Sequence, residues 1–220
     1  MRSFDEIFEI SASRQGGADA LEAMLTPAKS DAEMATIPED RWLAQFTKGI
    51  FQAGFNWKVI ENKWDGFEAA FHGFNPEACA FMPEEEFDAL LSDTRVVRNG
   101  AKLATVRDNA SLILSMRETG GVGQVVGGWA STDYANLLET LKKNGSRLGG
   151  TTGQYSLRFL GKDSYILSRD VVGRLIAEGV IDKPPTSKKA MVAVQEAFNI
   201  WMDQSGRGLT EISQTLARSL

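Results

Sequence analysis

The sequence predicts an all-α protein. Apolar residues recur at helical spacing along most of the chain, strand-like alternation is scarce, and β-branched runs are short. Proline-led or Ser/Thr-capped starts precede several of the periodic segments.

The elements follow in order. Residues 1–38 are polar and mixed, with Gly16, Gly17 and Pro27. They read as an N-terminal arm with one or two short helices, set apart from a domain over 39–220. A helix is expected to start near Pro38-Glu39-Asp40 and run through Trp42, Phe46, Ile50 and Phe51. Asn75-Pro76-Glu77 and Met82-Pro83-Glu84-Glu85 each put Pro at the first helical position with acids in the first turn. Lys102–Met116 is amphipathic through Leu103, Val106, Ala110, Ile113 and Leu114. The run GGVGQVVGG at 120–128 reads as a flexible loop. No Gly-Lys-Ser/Thr follows it, so it is not a phosphate-binding loop.

Ser131–Lys143 is expected to be helical and to be broken by Asn144-Gly145. A tight turn over Leu148–Gly153 then leads into a short helix through Tyr155, Leu157 and Leu160, ended by Gly161-Lys162-Asp163. Ser168 is an N-cap for a helix through Val171, Val172, Leu175 and Ile176. Thr186 or Ser187 caps the next, with Met191, Val194, Phe198 and Trp201 on one face. Ser205–Gly208 breaks it before a last helix over Leu209–Leu220. There is no internal repeat.

Composition bounds the function. A chain of 220 residues can build one sizeable core or two small lobes, and 43% hydrophobic with 24% charged residues is ordinary for a soluble protein. No apolar run reaches the roughly 18–20 residues of a membrane span. The N-terminus carries acids where a secretory signal carries basic and apolar residues, so a cytoplasmic location with no membrane partner is expected. One cysteine, Cys79, and one histidine, His72, exclude an internal disulfide and a Cys/His zinc site. No loop has magnesium or calcium ligand spacing, so neither metal nor cofactor is expected. A net charge of −5 does not suggest DNA, which would need a local basic face on an acidic body.

Two segments carry chemistry. The first is helix, glycine turn, helix: Leu137–Lys143, Leu148-Gly149-Gly150-Thr151-Thr152, and Gly153–Leu160. Such a turn gathers backbone N–H groups at a helix N-terminus and suits an anion such as a DNA phosphate, with Lys142, Lys143, Arg147 and Arg158 around it. By spacing alone, a plain helix connection with a glycine C-cap is the commoner reading of such a segment. The second is Gln52-Ala53-Gly54-Phe55-Asn56-Trp57. Small residues beside two aromatics suit either a slot for a stacked base or a helix bend packed with core aromatics.

Four segments in colinear order are similar to a known family. They are GIFQAGFNWKVIENKWDGFEAAFHGFNPE (49–77, with QAGxxW and FHxFxP patterns), RVVRNGAKLATVRDNA (95–110), LGGTTGQYS (148–156) and RDVVG (169–173). Together they resemble the 3-methyladenine DNA glycosylase I family, a bacterial-type branch of the helix-hairpin-helix DNA glycosylases, over roughly residues 40–175. The resemblance implies an all-α, two-lobed fold with its hairpin at about 137–160. It implies a monofunctional glycosylase that extrudes an alkylated purine such as 3-methyladenine from double-stranded DNA and hydrolyses its N-glycosidic bond in base excision repair, acting as a monomer. By the same resemblance Gly49, Gln52, Phe55, Asn56 and Trp57 line the base pocket, and Arg147, Gly149, Gly150, Thr151, Thr152 and Gly153 hold the DNA backbone.

Three positions depart from the family. Its structural zinc is held by paired Cys and His at the two termini, and those residues are missing here. Its pocket glutamate, three residues before the QAG glutamine, is Gly49. The superfamily's N-cap catalytic aspartate aligns with Ser168, which leaves Asp170, two residues on, as the candidate catalytic acid, while the lyase lysine position reads as Gln154. The alternative is therefore a module of the same fold that binds DNA or lesions with weak or no hydrolysis. An unrelated helical enzyme with a coincidental match is the third reading.

Overall fold

The computed structural model describes residues 1–220, and every regular element in it is helical. The first half holds α1 (Phe4–Gln15), α2 (Ala18–Glu22), α3 (Asp31–Ala35), α4 (Glu39–Gln52), α5 (Trp57–Asn62), α6 (Trp64–Ala70), α7 (Pro76–Ala80) and α8 (Glu84–Leu90). The second holds α9 (Gly100–Ser115), α10 (Tyr134–Asn144), α11 (Gly150–Leu160), α12 (Arg169–Ala177), α13 (Lys188–Ser205) and α14 (Leu209–Ala217). None is long and apolar enough to cross a membrane.

The helices form two compact units. One comprises Met1–Lys29, Ala130–Leu137 and Gly161–Leu220; the other comprises Ser30–Trp129 and Leu138–Leu160. The segment 1–38 is thus shared between the two, and its α1 is a full helix of 12 residues closed by a capping box between Ser3 and Glu6.

In the first unit an aromatic stack forms the core: Tyr134 edge-on to Tyr165 at 4.7 Å, Tyr165 stacked on Phe198 at 4.6 Å, and Phe198 edge-on to Trp201. Ser187 caps α13 by accepting from Ala190 N, and Gly206 ends it in the left-handed conformation. Asp163 caps α14 from a distance, accepting from Leu209 N at 3.1 Å and Thr210 N at 2.9 Å. A buried charge cluster ties the chain ends together. Glu178 accepts from the Arg2 backbone N–H at 2.8 Å and from the Arg2 guanidinium at 2.8 Å, and pairs with Arg174 at 3.2 Å. Arg174 in turn donates to Ser219 Oγ at 2.8 Å and to the Ser219 carbonyl.

The second unit is built around α4, whose Trp42, Leu43, Phe46, Ile50 and Phe51 are buried. The FHGF turn runs left-handed through three residues, at φ of 52° for His72, 65° for Gly73 and 61° for Phe74. That turn seats both Phe71 and Phe74 in one stack with Phe67 and Trp64. Two readings from the sequence need correction here. The glycine run at 120–128 is not a loose loop, since residues 123–127 form a π-helical turn whose Gly123 and Gly127 are buried against Met34 and Ala35 of α3. Pro83 is the residue before α8 rather than its first, although Pro76 does open α7.

The charge cluster gives a stability prediction. Removing one partner of a buried pair strands the other, so Arg174→Met is expected to cost about 3–5 kcal/mol in chemical denaturation. Burial alone would raise the Glu178 carboxyl, but hydrogen bonds from Arg2 and Arg174 outweigh it and hold the group below its ordinary value. A lowered folded value means stability is present above the unfolded value of about 4.3 and is lost as pH falls through the folded one. Glu178→Gln should flatten the stability-versus-pH curve in that acid window, and an unaltered acid slope would contradict the assignment.

Candidate nucleic-acid interface and base site

Helix α4 delivers the QAGFNW segment. It ends at Gln52, which is buried, and the chain leaves it extended at Ala53 (φ −61°, ψ 114°) and turns at Gly54 (φ 73°). No left-handed cap closes this helix, so its last carbonyls need other partners. Gly49 O accepts from Ala53 N at 3.1 Å, and Gln52 O accepts from Phe55 N at 3.1 Å. The remainder go to Lys102, whose Nζ donates to Ile50 O at 2.7 Å and Ala53 O at 2.7 Å, with Phe51 O at 3.4 Å. Lys102 is only 7% exposed. Burial, and then the nearby charge of Arg147, hold its ammonium below the ordinary lysine value. The same Nζ lies 5.3 Å from the centre of the Phe55 ring and 5.7 Å from that of Phe51.

Beyond the bend the two aromatics are open to solvent, Phe55 at 44% and Trp57 at 42%. Asn56 caps α5, its Oδ1 accepting from Lys58 N at 3.0 Å, which leaves its side-chain NH2 as the group to offer outward. Trp57 is edge-on to Tyr155 and to Phe159, each at 6.0 Å, and those two stack on each other along α11. The sequence left open whether these aromatics were core. Their exposure makes them a surface feature resting on the second hairpin helix.

The hairpin runs over residues 138–160 of the same unit. Its turn is pinned by the buried Asn109 of α9, which donates to Ser146 O at 3.0 Å and accepts from Ser146 N at 2.9 Å. Arg147 takes a left-handed conformation at φ 58° and is exposed. Gly150 opens α11 at φ 60°, and a Cβ there would meet nothing within 4 Å. The backbone at Gly150 therefore faces open space at a helix N-terminus, with Thr151 exposed and Thr152 half-buried beside it. Gly149 and Gly153 face inward instead, Gly149 against Lys142 and Gly153 against Leu148 O.

Gly49 has a specific role in packing. A Cβ at that position would lie 2.3 Å from Ser156 Oγ on α11, while Ser156 Cβ and Thr152 O stand at an ordinary 3.6 Å, so the obstruction is the hydroxyl oxygen in its present rotamer. Ser156 Oγ is buried with no hydrogen-bond partner.

Residues 39–143 match the methyladenine glycosylase family. The matched span is just under half of the chain. It is 33% identical to DNA-3-methyladenine glycosylase 1 of Escherichia coli (strain K12) and 33% identical to the DNA-3-methyladenine glycosylase of Haemophilus influenzae, in each case over 69 residues. Those residues are 31% of this chain and 37% of each relative, so the match spans little more than a third of their length. The 8-oxoguanine glycosylase/lyase of Methanocaldococcus jannaschii, solved with a 15mer DNA containing 8-oxoguanine, aligns at TM-score 0.51 and 16% identity. The alignment covers 96% of this chain and 95% of the other. That likeness is one of fold, and the fold is all-α.

The residues present do not fit the terminal zinc that the family resemblance implies. No three His, Cys, Asp or Glu side chains converge as a cage would require. Cys79 is buried, donates to Phe71 O at 3.2 Å, and is pushed up to about 12 by burial. His72 is paired with Glu86 at 2.6 Å. Asp170 lies in the first turn of α12, exposed, after Ser168 has capped that helix by accepting from Val171 N. It belongs to the unit that does not hold the QAGFNW bend.

Sequence reasoning passed over Lys102, Asn109 and Ser156. The available signal was polarity on an apolar face: Lys102, Thr105 and Asn109 share the buried side of α9 with Leu103, Val106 and Ala110.

The Gly49–Ser156 contact can be tested by a double-mutant cycle. Gly49→Ala gains up to about 1 kcal/mol of helix propensity but meets an overpacking cost of about 1–3 kcal/mol, so a net loss of stability is expected. In a Ser156→Ala background the obstructing oxygen is gone and the same change should become neutral or stabilising. Additive effects would remove the contact as the reason for glycine.

Proposed function

We propose that this chain is a monofunctional DNA glycosylase that hydrolyses the N-glycosidic bond of alkylated purines such as 3-methyladenine in double-stranded DNA. It acts in the cytoplasm as a monomer without a cofactor. The observation that carries the reading is the exposed Trp57 ring, braced edge-on by Tyr155 and Phe159 of the helix that opens at Gly150. A base cannot reach a side chain while it is stacked in a duplex, so it must be extruded. An aromatic face then receives it, and a backbone-lined helix N-terminus beside that face holds the phosphates. Gln52 and the Asn56 NH2 group are assigned to the base edge, with Arg147, Thr151 and Thr152 assigned to the backbone.

An alkylated purine is already a good leaving group, so the chemical demand is stabilising positive charge at the sugar and orienting a water. Asp170 is assigned that role on the family resemblance. No lyase step is assigned. The hairpin position for a Schiff-base lysine holds Gln154, and the buried Lys102 amine is engaged by carbonyl groups rather than free to attack. One observation favours the second reading, a lesion-binding module without hydrolysis: Gly49 leaves the family's pocket carboxylate absent.

Release of 3-methyladenine from dimethyl-sulfate-treated duplex separates the two readings. Release at a rate far above the spontaneous one is expected, falling in Asp170→Asn, whereas binding with no release would favour the module. Borohydride is expected to trap no covalent DNA adduct. Trp57→Ala should weaken binding to a methylated duplex by about 1–3 kcal/mol relative to an unmodified one, the size of a stacking contact. Because the ring is 42% exposed, the stability cost should fall below the roughly 3–5 kcal/mol of a core aromatic. Gly150→Asn, which tolerates the left-handed backbone, should weaken binding to all duplexes alike; an affinity equal to wild type would exclude the turn from the interface.

A further inference from the structure

Lys102 stands where its own helix does not want it. It is the third residue of α9, and a cation in the first turn opposes the positive end of the helix macrodipole. It is also buried, which disfavours the charged form, and no ion pair to it is present. What it meets is the negative end of another helix, the unpaired carbonyls of Ile50 and Ala53 at 2.7 Å each. These flank Gln52, and the bend they define carries Phe55, whose ring lies 5.3 Å from the same ammonium.

We infer that Lys102 is a positioning residue for the base site: by capping the C-terminus of α4 from across the unit, it fixes the bend that presents Gln52, Phe55 and Trp57. With a left-handed glycine cap the chain would satisfy these carbonyls itself and leave α4 in another direction. The lysine replaces that cap, and so Ala53 can leave extended with Gly54 as the turn. The bend is thereby set by a residue 49 positions away in sequence rather than by its own local geometry. The inference rests on the glycosylase reading for its consequence but not for its geometry, and two measurements on the full chain keep these apart.

The geometric measurement is hydrogen exchange on the amides of Ala53 and Phe55, whose bonds to Gly49 O and Gln52 O close the bend. Lys102→Met is expected to speed their exchange at least tenfold while amides in the middle of α9 keep theirs. Lys102→Arg, which retains a cationic donor, should restore much of the protection and guards against a Met variant that folds poorly. The functional measurement is release of 3-methyladenine from dimethyl-sulfate-treated duplex beside affinity for the unmodified duplex. Lys102→Met should lower release at least tenfold and leave duplex affinity within about twofold. Unchanged protection at Ala53 and Phe55 would overturn the inference. So would release and duplex affinity falling together in proportion to lost stability. A wild-type chain that releases no base would count against the glycosylase reading alone, and the exchange result would still decide the role of Lys102.

Discussion

The end of helix α4 is buried, and a buried helix end must find partners for its last carbonyls or lose the hydrogen bonds that water would have supplied. Much of the second unit answers that constraint. Helix α9 approaches closely enough to bring an ammonium group to Ile50 O and Ala53 O. Helix α11 meets α4 at Gly49, where Ser156 Oγ occupies the space a Cβ would take. Asn109, one heptad along α9 from Lys102, pins the hairpin turn through Ser146. One helix, α9, thus anchors both the bend of the base site and the turn of the hairpin, and the two stay in register because they share a support.

The first unit solves a different problem. Chain ends fray unless something ties them down. Arg2 near one end of this chain and Ser219 near the other are tied together through charge. Arg2, Arg174 and Ser219 converge on or around Glu178. Such a cluster is sensitive to acid, as a zinc site held by Cys and His is, but it does not respond to chelators or to thiol oxidation. Helices α13 and α14 bury Trp201 and Leu216 in the same unit.

What was legible in the sequence was local. Helix α4, the Ser168 and Ser187 caps, Pro76 and the Gly206 stop depend on neighbours within one or two turns, and those neighbours are adjacent in the sequence. The hairpin pattern was visible for the same reason. Helix α11 begins at Gly150, three residues before the expected Gly153, although Gly-Thr-Thr-Gly is a poor helix former. Propensity yields there to packing against α4. The glycine run at 120–128 misled because glycine has two uses, freedom and closeness, and only the surrounding α3 decides between them. Lys102 was invisible as a site residue because its partners lie 49 to 52 positions away.

On the proposed reading, the absence of a carboxylate at position 49 changes what the site must rely on. Two unit charges about 4 Å apart near a protein surface interact by about 4 kcal/mol, whereas stacking on one aromatic is worth about 1–3 kcal/mol. A site with the carboxylate can tolerate an imprecise fit to a cationic base, because attraction falls slowly with distance. A site without it depends on contact terms, which vanish within an ångström of misplacement. On the proposed reading, selectivity therefore passes from a charge to the placement of Trp57, Phe55 and Gln52. That placement is fixed by the end of α4, and the end of α4 is fixed by Lys102. Gly49 also meets α11, the helix whose Tyr155 and Phe159 brace Trp57. On the proposed reading, the packing of these supporting helices is the form that discrimination takes without the charge.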